Sequence, residues 1–332
     1  MTCSTTSEGP FLVSGRTAIV TGAGSGINLA FTRLLLSRGC NVVLADLSLR
    51  PEAKDLLTRY HSKDASPRAV FIETDVTSWP ALVRMFDTAL AEFGDFDMVC
   101  PGAGIYEPHW SSFWLPPEST ESKDDPNSGH YALLDINLTH PVRTTQIAIS
   151  HWLHPRPIQG QKLPTAASSR NPKRIIHIAS VASQVPVFRA PLYGASKFAI
   201  QGFVRCLSQL EPLFGIRVNA VAPGLVQTPI WTEHPEKLIN LDSSRDAWIT
   251  PLEVAEAMLN CVESESRVGG TVVEVGARRT REIAVFNDPG PDPRPEAGMM
   301  SSNGAAGNEE VKKWLQDETV WGWPMTEKAA IS

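Results

Sequence analysis

A strand, a glycine-rich turn and a helix follow one another near the N-terminus, and this succession constrains the fold more than any other feature of the chain. Thr17-Ala18-Ile19-Val20 is a short run rich in β-branched residues. Thr21-Gly22-Ala23-Gly24-Ser25-Gly26-Ile27-Asn28 comes next, then apolar residues at helical spacing (Leu29, Phe31, Leu34, Leu35, Leu36) that stop at Gly39. Such a turn lets backbone N–H groups approach a pyrophosphate, while the helix dipole favours its negative charge. Glycine clusters also make ordinary turns, so the next element matters. Asn41-Val42-Val43-Leu44-Ala45 reads as a second strand ending at Asp46. A carboxylate roughly 20 residues past the glycines, at a strand end, is placed to accept hydrogen bonds from adenosine ribose hydroxyls. A helix cap or turn residue is the plainer reading of Asp46. Its charge would repel a 2′-phosphate, and neither Ala23, Ser25 nor Leu47 supplies a cation to receive one. NAD is therefore favoured over NADP.

Tyr193-Gly194-Ala195-Ser196-Lys197 sets a phenol and an ammonium four residues apart, neighbours on a helix surface. An ammonium there favours phenolate and draws the tyrosine pKa down from about 10 towards working pH. Tyr193 then suits general acid/base work on an alcohol/carbonyl pair. Tyr and Lys at this spacing also occur on many solvated helices, so the spacing gains meaning from the motifs around it.

With both ends in hand, the chain resembles the short-chain dehydrogenase/reductase family, in the branch with TGxxxGxG and YxxxK, over residues 14–276. The resemblance implies that Gly22, Ser25, Gly26 and Ile27 form the cofactor turn, with Asp46 on the ribose. Asp75-Val76, after the strand Ala69-Val70-Phe71-Ile72, matches the aspartate that meets the adenine. Gly102-Ala103-Gly104, after Met98-Val99-Cys100, matches the turn beneath the adenosine. Asn137, Ser180, Tyr193 and Lys197 match the family's catalytic set, and Pro223-Gly224 with Val226 and Thr228 matches the segment facing the nicotinamide. In the family the serine orients the carbonyl, the tyrosine exchanges the proton, and the lysine binds the nicotinamide ribose while lowering the tyrosine pKa. The asparagine holds a water that links lysine to solvent.

Two positions depart from the pattern. Asn28 stands where the family has its last glycine, and Cys100-Pro101 replaces the usual asparagine pair before Gly102. Asn tolerates unusual backbone angles, so cofactor binding is expected to survive; the lost amide before Gly102 is expected to loosen that turn while Pro101 stiffens it. These departures are the support for an alternative reading, a noncatalytic NAD-binding redox sensor or regulatory subunit. Each matched residue also has a plainer role: Ser180 could satisfy a strand-end backbone group, Asn137 could be a polar helix residue, and Thr228 a cap. Pro141, four residues past Asn137, removes the N–H that would bond the Asn137 carbonyl. That either kinks the helix or frees a carbonyl for the relay water. His177, flanked by Ile176 and Ile178, reads as a satisfied core histidine.

Strands alternating with helices from Thr17 to Val275 predict an α/β fold, a doubly wound, mostly parallel Rossmann sheet. The catalytic domain spans 14–286, with polar, Pro-rich surface insertions at 116–129 and 155–173 that such composition does not order by apolar burial. The chain of 332 residues, 42% apolar, is long enough for this domain plus a C-terminal extension at 287–332. The extension combines a Pro/Gly-rich join at 288–295, a helix near 309–317, and Trp314, Trp321 and Trp323. The tryptophans argue for docking on the domain or a neighbouring subunit, and the join for disorder.

A net charge of −6 without a basic stripe disfavours nucleic acid. Five scattered cysteines suit a reducing compartment, and neither they nor the eight histidines show metal-ligand spacing. No apolar run is long enough to span a membrane, and residues 1–11 lack a signal core, so a cytoplasmic location is expected. Pocket-lining segments at 106–114, Val185-Pro186-Val187-Phe188 and Ile230-Trp231 are apolar and aromatic, which suits a lipophilic secondary alcohol or ketone better than a sugar or an acid. Within the family the overall pattern is nearest the NAD-dependent 15-hydroxyprostaglandin dehydrogenase-like branch; a steroid, polyketide or terpenoid alcohol fits equally. Members of the family usually associate, which implies a homodimer or homotetramer through helices at 131–152 and 193–210. Ile136, Val142, Ile147, Ile149, Phe198, Ile200, Phe203 and Leu207 give those helices apolar residues on more than one face.

Overall fold

The aliphatic runs pair into one eight-stranded sheet of order 3-2-1-4-5-6-7-8. The computed structural model describes residues 10–62, 65–156, 163–233, 247–277, 279–284 and 304–321. Its strands are β1 (Thr17–Thr21), β2 (Asn41–Asp46), β3 (Ala69–Glu73), β4 (Met98–Cys100), β5 (Lys173–Ile178), β6 (Ile216–Pro223), β7 (Val272–Val275) and β8 (Thr280–Glu282). β1 to β7 run parallel, and β8 returns antiparallel to β7. The sequence pattern shows no β8. Its three residues are all exposed, and Arg281 holds it in place by donating from Nε and Nη2 to the Glu274 carboxylate at 2.7 and 2.8 Å.

The helices are α1 (Gly26–Ser37), α2 (Pro51–Tyr60), α3 (Trp79–Phe93), α4 (Ala132–Leu134), α5 (His140–Leu153), α6 (Pro191–Cys206), α7 (Leu210–Phe214), α8 (Pro229–Thr232), α9 (Pro251–Glu263), α10 (Gly304–Gln316) and α11 (Glu318–Trp321). Period-2 alternation along the strands feeds two cores. Ala18, Val20, Val42 and Leu44 face Phe31 and Leu35 of α1 and Val254 and Met258 of α9. Ile19, Val43, Val218 and Ala220 face Met85 and Phe86 of α3, Ile147 and Trp152 of α5, and Val204 of α6. Burying both faces is what a parallel sheet requires. The strand order reverses between β1 and β4, so a crevice opens there at the carboxyl ends of the strands.

Three expectations need correction. The helix expected over 131–152 is interrupted: Asp135–Thr139 forms a π turn between α4 and α5, in which the His140 N–H bonds back to the Asp135 carbonyl. Pro141 is the second residue of α5, so the interruption expected near it takes the form of one widened turn. The apolar surplus proposed for association is also smaller than the sequence suggests. Ile147, Ile149 and Ile200 point inward and are buried, and Phe198, at 37% exposure, is the main apolar side chain α6 presents to solvent. Finally, the insertion around 116–129 is ordered by buried polar groups where apolar burial falls short. Ser111 Oγ donates to Asp124 at 2.8 Å, Asp124 accepts from Ala132 N at 2.9 Å, and Ser111 Oγ accepts from Leu133 N at 3.1 Å.

The extension meets the domain through α10. Leu315 is buried in the core that holds Trp152, and its carbonyl lies 2.9 Å from His154 Nε2. Trp314 stays half exposed. Trp323, the Trp321 side chain and the 288–295 join lie outside the described residues. Among the described residues, no helix is long and apolar enough to cross a membrane.

Candidate active site

The β1–α1 turn is built around close backbone approach. Gly22 has φ +69°, and a Cβ there would stand 2.8 Å from the Ala103 Cα. Asp46, at the end of β2, accepts from the Gly24 N–H at 2.8 Å. It therefore fixes the turn as well as lining the groove. The nearby cation Arg50 is engaged by the Glu233 carboxylate on both terminal nitrogens.

The two departures from the family pattern turn out to be one exchange. Asn28 is buried in the first turn of α1, and its Nδ2 donates to the Gly102 carbonyl at 2.9 Å. Its Oδ1 faces the Cys100 thiol at 3.8 Å. A Cβ on residue 102 would fall 2.2 Å from that Oδ1, so Asn28 makes Gly102 obligatory. Asn28 thus supplies a side-chain amide to the turn after β4, across the crevice. The expectation of a loosened turn is corrected: Ala103 N also donates to Thr21 Oγ1 at 3.1 Å, and Thr21 Oγ1 lies 3.1 Å from His140 Nε2.

Asn137 lies in the π turn and ties it to the segment after β4. Its Oδ1 accepts from Ile105 N at 2.9 Å and its Nδ2 donates to Ile105 O at 2.8 Å. Ser180 follows β5, where its Oγ accepts from Ala182 N at 3.2 Å, the strand-end role of a serine. The same hydroxyl lowers the Tyr193 phenol pKa, against the larger effect of burial. Lys197 is buried on α6 with its Nζ donating to Ile178 O at 2.9 Å and standing 5.5 Å from the Tyr193 ring centre.

Burial dominates the electrostatics. It pushes the Tyr193 phenol up to about 12, against a smaller lowering effect of the Ser180 hydroxyl, and pushes the Lys197 ammonium down to about 8. The expected lowering of the tyrosine pKa by Lys197 is not found: burial raises it, and the lowering effect comes from Ser180. His140 falls to about 4 and His177 to about 3 for the same reason, so both are neutral at pH 7. His177 Nε2 lies 3.2 Å from Thr145 Oγ1, but its buried Nδ1 has no hydrogen-bond partner among the described residues, so the expectation of a satisfied core histidine is met at one ring nitrogen only.

One cleft of about 560 Å³ joins these groups, a size that suits a small-molecule ligand. Gly22, Ser25, Gly26, Ile27, Asp46, Asp75, Val76, Gly102, Ala103 and Gly104 line its dinucleotide end. Ser180, Tyr193, Lys197, Pro223, Gly224, Val226 and Thr228 line its reaction end. Asn137 stands just behind the wall, with its Oδ1 3.2 Å from where a Cβ on Gly104 would lie. The glycine cradle, the Gly24–Asp46 bond and the cleft beside them fit a dinucleotide. Among the described residues, no three His, Cys, Asp or Glu side chains are placed to hold a metal ion.

Sequence reasoning missed Glu107. Its Oε2 accepts from the Tyr193 N–H at 3.0 Å, and its Oε1 accepts from Ser112 Oγ at 3.1 Å and Phe113 N at 2.8 Å. A buried carboxylate thus caps α6, whose own N-cap residue is Ala190. The cap comes from 86 residues away, so no local pattern could announce it.

Residues 16–238 match the family described as short chain dehydrogenase. The chain belongs to that family. Among similar short-chain dehydrogenases, the cis-4-hydroxycyclohexanecarboxylate dehydrogenase of Sinomonas cyclohexanicum is 31% identical over 73% of this chain and 87% of its own. The NAD(+) 15-hydroxyprostaglandin dehydrogenase of Rattus norvegicus is 27% identical over 80% and 93%. A solved short-chain dehydrogenase/reductase from Brucella melitensis, described as a glucose/ribitol dehydrogenase, superposes with a TM-score of 0.58 at 25% identity, covering 80% of this chain and 97% of its own. The protein is accordingly an oxidoreductase of the short-chain class.

Proposed function

We propose that this short-chain dehydrogenase interconverts a lipophilic secondary alcohol and its ketone, with NAD(H) as cofactor and Tyr193 as the general acid/base. The observation that carries the reading is a single cleft in which Ser180, Tyr193 and the Lys197 ammonium adjoin the glycine turns and Asp46. Gly22, Gly26, Asp46, Asp75 and Gly102 would hold the dinucleotide, which supplies the hydride acceptor or donor. The residues handle the proton. Ser180 donates a hydrogen bond that fixes the substrate oxygen. Tyr193 gives the ketone oxygen its proton in reduction and takes the hydroxyl proton in oxidation. Lys197 remains cationic at pH 7, because about 8 lies above it, and so favours phenolate when oxidation requires one. Asn137 fixes the backbone after β4 against the π turn and keeps this geometry.

Tyr106, Val185, Val187, Ile230 and Trp231 line the substrate side. Tyr106 packs on Tyr193 with ring centres 4.8 Å apart and on Trp231 at 5.7 Å. Such walls suit an apolar frame bearing a hydroxyl, the pattern of the alcohols named for the Sinomonas and rat relatives. The two departures that would speak for a noncatalytic sensor amount to one amide moved between turns, which leaves that reading no specific observation in its favour. Association as a homodimer or homotetramer belongs to the same reading, with Phe198 on its face, and light scattering tests it.

The test is Tyr193→Phe with NAD⁺ and a panel of lipophilic secondary alcohols. General acid/base groups contribute about 10²–10⁴-fold, so kcat should fall by that range while NADH affinity stays within about twofold. Turnover like the wild type in that variant overturns the assignment. Silence of the wild type across the panel, with NADH bound, would favour the sensor.

A further inference from the structure

The substrate side of the cleft is apolar apart from one feature. Arg189 lines it at the mouth, on the loop between Ser180 and α6. Its Nε donates to the Tyr106 hydroxyl at 2.6 Å, and its guanidinium carbon lies 5.9 Å from the Tyr106 ring centre. Among the described residues no carboxylate pairs with it, and its two terminal nitrogens make no hydrogen bond. A guanidinium has five N–H donors. One is spent on aiming the group, and the four that remain form the planar fork that carboxylates accept in pairs.

The loop that carries Arg189 is held from outside. Trp114 Nε1 donates to the Phe188 carbonyl at 2.8 Å, and the Trp114 and Phe188 rings meet at 4.8 Å. The same Tyr106 that orients Arg189 also packs on Tyr193. The centroid distances of 4.8 and 5.9 Å place the guanidinium within about 11 Å of the phenol ring. Arg189 is thus an exposed cation, aimed by Tyr106 and held near the proton-transfer group with its fork unpaired among the described residues.

We infer that the substrate is an apolar hydroxy acid whose carboxylate is received by Arg189 while its carbinol faces Tyr193. This rests on the reading of the cleft as an alcohol dehydrogenase site. It revises the expectation that an acid fits poorly, because that expectation considered the apolar segments and not the arginine between Phe188 and α6. Arg189 is a specificity-determining residue, with no part in the proton transfer.

The experiment uses the full chain with NAD⁺ and a panel of apolar hydroxy acids, each paired with its methyl ester, including cis-4-hydroxycyclohexanecarboxylate. Wild type should turn over the acids with kcat/KM at least about 10-fold above the esters, mainly through KM, since charge-assisted hydrogen bonds discriminate by this much or more. In Arg189→Met that ratio should collapse towards one, and in Arg189→Lys it should recover only in part, because an ammonium lacks the fork. Melting temperatures check that each variant is folded. A wild-type ratio near one, or a ratio unchanged in Arg189→Met, overturns the inference. A binding readout separates it from the reaction: cyclohexanecarboxylate, which carries no hydroxyl, should bind the NADH complex of wild type and bind at least about 10-fold more weakly to Arg189→Met. Arg189-dependent binding with no turnover of any acid or ester would keep the carboxylate site and sink the proposed reaction. Turnover of esters without Arg189-dependent binding would do the reverse.

Discussion

Asn28 and Cys100 give the sharpest test of how the crevice is built. Asn28→Gly removes a 2.9 Å hydrogen bond to the half-buried Gly102 carbonyl and leaves that acceptor without its partner. Losing one partner of such a bond costs about 1–2 kcal/mol, and glycine adds several tenths more in a helix. For a domain of this size the melting temperature should fall by roughly 2–6 °C. Cys100→Asn alone should also destabilise: residue 100 is fully buried with its sulfur 3.8 Å from Asn28 Oδ1, so two amides would contend for one space. Overpacking of this kind costs about 1–3 kcal/mol. In the Asn28→Gly background that space is free, and Cys100→Asn should instead restore a donor and raise the melting temperature. The substitution therefore changes sign with its background. Four proteins, thermal unfolding and NADH titration complete the cycle, and NADH affinity should follow stability. Additivity within about 0.5 kcal/mol, or an Asn28→Gly protein indistinguishable from wild type, would refute the exchange of amides.

The remaining tests address charge, cofactor choice and the extension. Burial lowers Lys197 from 10.5 to about 8; below about 8 folded and unfolded chains both hold the proton and the burial penalty is complete. Between about 8 and 10.5 the unfolded chain binds more protons, so this group makes stability rise with pH, by at most about 3 kcal/mol. Lys197→Met should flatten that rise in denaturant titrations taken at several pH values, and an unchanged slope would contradict the burial argument. Tyr193, raised to about 12, is neutral at pH 7. Oxidative turnover should therefore climb with alkaline pH while reductive turnover stays level through neutrality, and a reductive rate that rises with pH would count against Tyr193 as the acid. Asp46→Ser with Leu47→Arg should raise relative NADP use by removing repulsion and adding a phosphate partner; a wild type that already prefers NADP would show Asp46 misread. Leu315→Ala should weaken docking of α10 by about 2 kcal/mol or more, read as faster amide exchange in α10, and unchanged exchange would mean that Leu315 does not anchor it.

What was legible in the sequence was whatever repeats within one element. Short apolar runs gave the first four strands, and helical spacing gave α1 and the Tyr193–Lys197 pair on α6. β8 escaped because three exposed polar residues carry no period, and their hold is an ion pair to the neighbouring strand. The motif residues were legible because each sits next to a strand end or turn with a pattern of its own, and the fold brings those ends to one crevice. Their partners were not. Glu107 reaches Tyr193 across 86 residues, His140 reaches Thr21 across 119, and Asn28 reaches Gly102 across 74. A polar contact needs only one residue at each end, so it leaves no periodic trace. The same limit misled the reading of individual side chains. Counting apolar residues on α5 and α6 overstated their outer faces, because Ile147, Ile149 and Ile200 serve the sheet. Spacing also suggested that Lys197 sets the tyrosine pKa, whereas desolvation is the largest effect on each group. Sequence separation reports which charges are neighbours, and burial decides how much each one counts. Two substitutions that looked like independent losses are a case in point: they compensate each other only because the reversal of strand order beside β1 brings the start of α1 against the turn after β4.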